Sequence, residues 1–154
     1  MATAEPYILF ELAGTAYAVP SSAVQRMEMV EHVTPVPSAP AFVDGVVFSR
    51  GRVVPAVNLR RRFGFAPTPH DPKTRLIVVS HAGRAVGLVV DSAREFVTIA
   101  TDAIQPPPAS LAGTSGNYLA GIADVAGKVI LILDVAEVLN DPAGQAVVSG
   151  APEA

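Results

Sequence analysis

The feature that most constrains this chain is a match with itself. Residues 45 to 64 lie over residues 121 to 140 at a shift of 76 with no gap. Gly45 meets Gly121, Gly51 meets Gly127, Arg52 meets Lys128 and Val53 meets Val129. Asn58 then meets Asp134, Leu59 meets Val135 and Phe63 meets Leu139. A second match, at a shift of 69, sets Ala13-Gly14 before "TAYAV" over Ala82-Gly83 before "RAVGL". The chain is a duplicated unit of hairpin, Pro-bearing connection, hairpin and short helix. Any fold must accept that unit twice.

The unit is built of strands. Its apolar runs are short, rich in β-branched residues and punctuated by Gly, the pattern of hairpins. "YILFEL" and "AYAVP" flank Ala13-Gly14-Thr15, and "FVDGVVFS" and "RVVPAVNL" flank Arg50-Gly51. "RLIVVS" and "AVGLVVD" flank His81-Ala82-Gly83, and "YLAGIADV" and "KVILILDV" flank Ala126-Gly127. Each turn has a Gly able to take positive φ. Asn58 and Asp134 are N-cap types for the short helices, and Gly64 and Asn140 tolerate the left-handed position beyond them. "SSAVQRMEMVEHV" predicts a helical turn from Ser21 or Ser22 leading into a strand, while "TPVPSAP" and "QPPPASLAGTSGN" read as irregular connections.

Half of a 154-residue chain, with about five short strands, suits a small closed β-barrel, because closure removes exposed edges. Two barrels side by side let runs such as "VILIL" bury both faces. The expected fold is all-β: two tandem five-stranded barrels, one per half, with short helices. It spans residues 5–140, and residues 141–154 are expected to be a flexible tail.

Composition narrows the function. Cysteine is absent, which removes disulfides, thiolate metal sites and a Cys nucleophile. "MATAEPYILFELAG" lacks the basic start and cleavage site of a secretory signal, and no apolar run nears the ~20 residues that span a bilayer. A cytoplasmic protein without direct membrane contact is expected. A net charge of −3, no Trp and few aromatics argue against a nucleic-acid binder. His32, His70 and His81 show no metal-ligand spacing, and Asp91, at the end of "VGLVVD", has no base or nucleophile beside it and reads as a turn or cap residue. "GTSGN" lacks the strand, helix and Lys of a phosphate loop. No catalytic residue, cofactor or metal is expected.

One stretch runs against the acidic balance. "DGVVFSRGRVVPAVNLRRRFG" carries Arg50, Arg52, Arg60, Arg61 and Arg62, five of the chain's 11 basic residues, against Asp44 alone. Cations late in a helix complement its dipole by ~0.3–1 kcal/mol each. The duplicate helix "DVAEVLN" nevertheless has Ala136, Glu137 and Val138 at the last three positions, so the charge belongs to one repeat. Arg50 stands at a hairpin tip where its duplicate is Ala126. Its planar fork suits a partner carboxylate, although a solvated tip is the competing reading. A phosphate-binding stripe along Arg50 to Arg62, and an enzyme using Asp91 or His81 in a cleft between the barrels, are the rivals from other classes.

Three segments in order, "FVDGVVFSRGRVVPAVNLRRRFG", "RLIVVSHAGRAVGLVVDSAREF" and "YLAGIADVAGKVILILDVAEVL", resemble the CheW-like coupling proteins of bacterial chemotaxis. The first follows the family pattern G-x-x-N-L-R-G-x-V-V-P-V-V-D-L-R, and the likeness runs from about Tyr7 to Leu139. The resemblance implies two SH3-like five-stranded barrels and an adaptor without enzymatic activity, a monomer in isolation. Such adaptors join a chemoreceptor's cytoplasmic hairpin tip to the regulatory domain of a CheA-type histidine kinase, in receptor arrays at the membrane. The family's motif Arg and Gly fall on Arg50 and Gly51, and Gly45 and Val46 on the strand leading into that hairpin. Val24, Leu76 and Val90 fall near the groove between barrels where a receptor hairpin packs. Asn58, in place of the Asp of D-L-R, and Arg60 complete the expected docking set. Phe48-Ser49 replaces Asn-Leu, which changes any docking surface it faces and keeps open a parallel system controlling pili or gliding. On this reading the basic knot is a docking surface of the first barrel, facing acidic groups of receptor or kinase.

Overall fold

Four hairpins form where the turn chemistry allows them. The computed structural model describes residues 3–108 and 118–139. The hairpins are β1 (Ala4–Leu12) with β2 (Thr15–Pro20), β4 (Val43–Ser49) with β5 (Arg52–Asn58), β6 (Arg75–His81) with β7 (Arg84–Val90), and β10 (Leu119–Val125) with β11 (Lys128–Leu133). At every tip both central residues have positive φ, for example 52° at Arg50 and 79° at Gly51. That is the mirror-image turn whose twist matches the strands it joins. Three more strands, β3 (Val24–Met29), β8 (Ser92–Ala100) and β9 (Ile104–Gln105), lie between the hairpins, and the helices are α1 (Leu59–Arg62) and α2 (Val135–Leu139). The expected helical turn before β3 is a 3₁₀ turn at Ser21–Ala23.

The strands form two sheets, ordered β3-β6-β7-β5-β4 and β8-β1-β2-β11-β10-β9. In each, one long segment pairs with both edges. Residues 24–34 pair with β6 and, through a Thr34–Val46 bridge, with β4. Residues 92–105 pair with β1 through β8 and with β10 through β9. The six strands of the second sheet are thus the same five-part barrel with its closing segment split in two.

The expectation of one barrel per sequence half is corrected by this topology. The first barrel is β3 to β7; the second takes β1 and β2 from one end of the chain and β8 to β11 from the other. The repeats exchange hairpins. The crossings fall at two short connections, the 3₁₀ turn at Ser21–Ala23 and the single residue Asp91. At each the backbone leaves one sheet and enters the other, and the strands so joined pack against the apolar core shared by both barrels. The parallel pairs β5–β7 and β2–β11 result.

The duplication holds to the residue. Ala56 pairs with Gly87 as Ile132 pairs with Ala18. A bulge between Val43 and Gly45 repeats between Leu119 and Gly121. The Asn58 amide donates to the Phe42 carbonyl at 2.7 Å, and the Asp134 amide to the Tyr118 carbonyl at 2.8 Å. Both predicted caps form: Asn58 Oδ1 accepts from the Arg61 amide and Asp134 Oδ1 from the Glu137 amide, each at 3.2 Å. Gly64 takes the expected positive φ of 85°. Asn140, the "GTSGN" segment and the 141–154 tail lie outside the described residues.

Three apolar cores follow. Val54, Leu76, Val78 and Val89 fill the first barrel, and Leu9, Ala18, Ile130 and Ile132 the second. A larger core between the barrels takes Phe10, Tyr17, Leu59, Ile77, Leu88 and Leu139. Strand β11 alternates between barrel interior (Ile130, Ile132) and this shared core (Leu131, Leu133), as "VILIL" predicted. Each fully buried Leu or Ile is worth ~1.5–3 kcal/mol, so the shared core contributes substantially to holding the two barrels together.

Candidate docking face of the first barrel

The five arginines of the knot do not form one patch. Arg62, at the end of α1, lies between the rings of Phe42 and Tyr118, 4.7 and 4.8 Å from their centroids. Its Nε donates to the Val138 carbonyl of α2 at 2.7 Å. Phe42 and Tyr118 are equivalent at the shift of 76, and so are Arg62 and Val138. Arg62 therefore reaches its own counterpart across the axis relating the repeats. The counterpart of Arg62 in the duplicate helix, Val138, supplies the carbonyl that Arg62 reaches.

Arg60 is also engaged. Its Nε and Nη2 reach the two Asp91 oxygens at 2.7 and 2.6 Å, and Nη1 donates to the Ala66 carbonyl at 3.0 Å. Asp91 in turn accepts from the Ala13 amide at 2.9 Å. This latch ties α1 and the crossing at Asp91 to the β1–β2 tip. Burial pushes the Asp91 carboxyl up, but the Arg60 hydrogen bond, the Ala13 amide and the Arg60 charge outweigh it and hold it below the usual value. Arg61 is half-exposed, 3.7 Å from Asp44. Arg50 and Arg52 alone project at the hairpin, and among the described residues no hydrogen bond or ion pair is made by Arg50. The expected five-arginine docking surface is corrected on this geometry: two of its members, Arg60 and Arg62, hold the fold together.

Beside that hairpin an open groove of about 620 Å³ runs between β3 and the β4–β5 hairpin. Met29, Phe48 and Val53 line it and are 57%, 77% and 46% exposed. Val46 and Leu76 lie deeper, and Glu28, Glu31 and His32 add polar groups. Glu28 is held in place: its Oε1 accepts from the Ser49 hydroxyl and, at 3.2 Å, from Arg26 Nε. The Ser49 hydroxyl bond, followed by Arg26, outweighs desolvation and lowers the Glu28 carboxyl below its usual value, with the Arg50 charge adding to the effect.

The nine expected docking residues separate on this frame. Arg50 and Gly51 are exposed at the tip, and Val46 lines the groove. Leu76 forms part of its floor but is 2% exposed, and packs inside the barrel. Gly45 is buried at the bulge with φ 146°, where a Cβ would strike the Thr34 carbonyl. Val24 packs against the shared core and Val90 is within it, so Val90 is a core residue rather than a groove residue. Asn58 caps α1 and donates to Asp44 at 2.9 Å, and Arg60 belongs to the latch. The sequence reading missed the Arg26–Ser49–Glu28 network, since polar residues 21 positions apart on two strands carry no local signal. The position of Arg62 had one: Phe42 over Tyr118 in the repeat alignment.

Of the two residues named for an enzyme, Asp91 is taken up by Arg60. Asp91 and His70 border a recess of about 10 Å³, filled by the Arg60 ion pair. Among the described residues no group of three His, Asp or Glu could hold a metal ion, and no helix is long and apolar enough to cross a membrane.

Comparison with known proteins agrees with this architecture. The model of the CheW-like domain family matches residues 6–143. A chemotaxis protein CheW of Helicobacter pylori is 32% identical over 136 residues, 87% of this chain and 81% of that protein. Protein FrzA of Myxococcus xanthus is 28% identical over 146 residues, 93% and 90% of the two chains. The crystal structure of the scaffolding protein TtCheW from Thermoanaerobacter tengcongensis has a TM-score of 0.85 at 26% identity, covering 92% of this chain and 96% of that one.

Proposed function

The chain belongs to the CheW-like family of chemotaxis coupling proteins, and we propose that it acts as a non-enzymatic adaptor between a chemoreceptor's cytoplasmic hairpin tip and the regulatory domain of a CheA-type histidine kinase. It would work in the cytoplasm, recruited to receptor arrays at the membrane. The observation that carries the site is the pairing of an apolar groove, lined by exposed Met29, Phe48 and Val53, with the unengaged Arg50 at its edge. Apolar side chains supply binding energy, and a charged fork sets register and encounter rate. An adaptor face of ordinary size covers ~800 Å² per partner and needs no basic protein overall. Val46 and Gly51 belong to the same face; Gly45, Asn58, Leu76 and Arg60 support it from behind.

A second reading is the adaptor of a parallel chemosensory system, one controlling pili or gliding. Phe48 favours it, because an exposed ring where the family pattern has Asn asks for a different partner surface.

Binding of the purified protein to a receptor hairpin fragment and to a kinase regulatory domain, at two salt concentrations, tests the proposal. Wild type binds both, and Arg50→Glu weakens at least one by ~30-fold, the equivalent of ~2 kcal/mol, with a reduced salt dependence. Binding to neither fragment removes the adaptor role. Unchanged affinity for Arg50→Glu returns that residue to a solvated tip.

A further inference from the structure

Ser49 raises a question that the fold alone does not answer. It is 2% exposed, the last residue of β4 and the neighbour of Arg50. Its Oγ accepts from Arg26 Nη2 at 2.6 Å and Nε at 3.1 Å, and donates to Glu28 Oε1. Among the described residues of the second barrel no such network is formed. At the shift of 76 the counterpart of Ser49 is Val125, and strand register gives the counterpart of Glu28: Glu28 pairs with Leu76 as Val97 pairs with Tyr7. Both valines pack against the barrel interior. A barrel of this design closes with valines, so the polar network is not demanded by folding, and a part-buried ion pair is weak evidence for stability.

The network does have a consequence for Arg50. Arg50 is the residue next to Ser49, at the tip of the hairpin whose last β4 residue bonds Glu28, and its charge adds to the lowering of the Glu28 carboxyl. A carboxylate released from the serine hydroxyl beside this tip is a ready bidentate partner for a long arginine fork. We infer that Ser49, with Arg26, is a positioning residue: it keeps Glu28 occupied, and thereby leaves the Arg50 guanidinium open to a carboxylate of the docking partner. The inference rests on the reading of Arg50 as a docking residue.

The test uses the full chain, with the receptor hairpin fragment and the kinase regulatory domain as probes. Affinities are measured for wild type, Arg50→Ala, Ser49→Val, Ser49→Thr and Ser49→Val combined with Glu28→Gln. The arginine Nε–H spectrum of each free protein is recorded as well. Ser49→Val is expected to lose about tenfold towards whichever probe Arg50→Ala weakens. Ser49→Thr keeps the hydroxyl and the affinity, and adding Glu28→Gln to Ser49→Val brings affinity back to within about twofold of wild type. In the free protein Ser49→Val moves the Arg50 Nε–H signal, as an ion pair with Glu28 forms, and the Glu28→Gln addition moves it back. A loss of affinity that Glu28→Gln does not restore, or an Arg50 signal indifferent to Ser49→Val, overturns the inference. Should Ser49→Val fail to fold, Ser49→Ala removes the hydroxyl with less added bulk and answers to the same outcomes. If the Arg50 signal responds but wild type binds neither probe, the positioning stands and the adaptor reading is what has failed.

Discussion

The two barrels have one backbone plan and two surfaces. Their strand registers, bulges and helix caps coincide at the repeat shifts, down to Ala56–Gly87 and Ile132–Ala18. Their hairpin tips do not. The first carries Phe48, Ser49 and Arg50; the second has Asp124, Val125 and Ala126 at those places. Exposed Val53 and exposed Val129 are common to both, so an apolar edge alone does not distinguish the first barrel. What distinguishes it is the ring, the buried network and the projecting cation. A duplicated fold can keep its backbone and change its role at a handful of side chains, because function is a property of sites and not of the fold that carries them.

The two bulge glycines occupy equivalent places but differ in backbone: Gly45 has a positive φ and Gly121 does not. Gly45→Ala puts a Cβ onto the Thr34 carbonyl at a φ of 146°, and is expected to cost about 3–4 kcal/mol in equilibrium urea unfolding. Gly121→Ala meets first the Cγ2 methyl on the branched carbon of Ile104, with the Gln105 carbonyl 3.0 Å away, and is expected to cost about 1–3 kcal/mol. Equal costs break the comparison at that bulge.

Arg62 probes a place where the repeats differ, Val138 being its counterpart. Arg62→Leu loses two ring contacts and the hydrogen bond to Val138, and is expected to lower stability by about 2–3 kcal/mol in the same assay. A neutral result would mean that the axis accepts an apolar residue, and that the asymmetry has another origin.

The Asp91 latch, which joins the two barrels, has a pH signature. Its carboxyl is lower in the folded than in the unfolded chain. The stability it contributes is therefore complete above the ordinary carboxylate value, near 3.9, and is lost as pH falls through the folded value. Wild type loses stability on acidification below about pH 4; Asp91→Asn, about 1–2 kcal/mol less stable at neutral pH, falls less steeply there. Parallel curves for the two proteins remove the latch.

The smallest effect separates folding from docking at the tips. Arg50 and Ala126 both sit near φ 52–53°, where Asn is better tolerated than either. Arg50→Asn and Ala126→Asn are each expected to gain about 0.5 kcal/mol in thermal or urea unfolding. Only Arg50→Asn should weaken partner binding. A matched gain with unmatched binding means that Arg50 stays at an unfavourable φ for its guanidinium.

The local parts of this structure were readable before any coordinates. Gly after Ala or Arg between β-branched runs fixes a mirror-image turn, and Asn58 or Asp134 before a short helix fixes a cap, because both depend on residues within three or four positions. The exchange of hairpins was not readable, since β2 shows the same apolar face whether it meets β5 or β11. The arginine knot was half readable: charge placed it in the first repeat, but long side chains reach partners 31 positions away at Asp91 and 76 away at Val138. Of the docking face, the Arg50 tip was visible in the sequence, while Met29 and Phe48 became a groove only when β3 and β4 were brought together.

By itself the sequence determined a twice-used β unit with its turns, caps and alternating apolar faces, because these follow from backbone sterics and the two-residue period of a strand. The tertiary structure alone decided which hairpins share a barrel, which arginine occupies the axis between the repeats and which carboxylate is kept away from Arg50. Those choices rest on contacts between distant residues, where packing of both faces and the pairing of buried charge must be satisfied together.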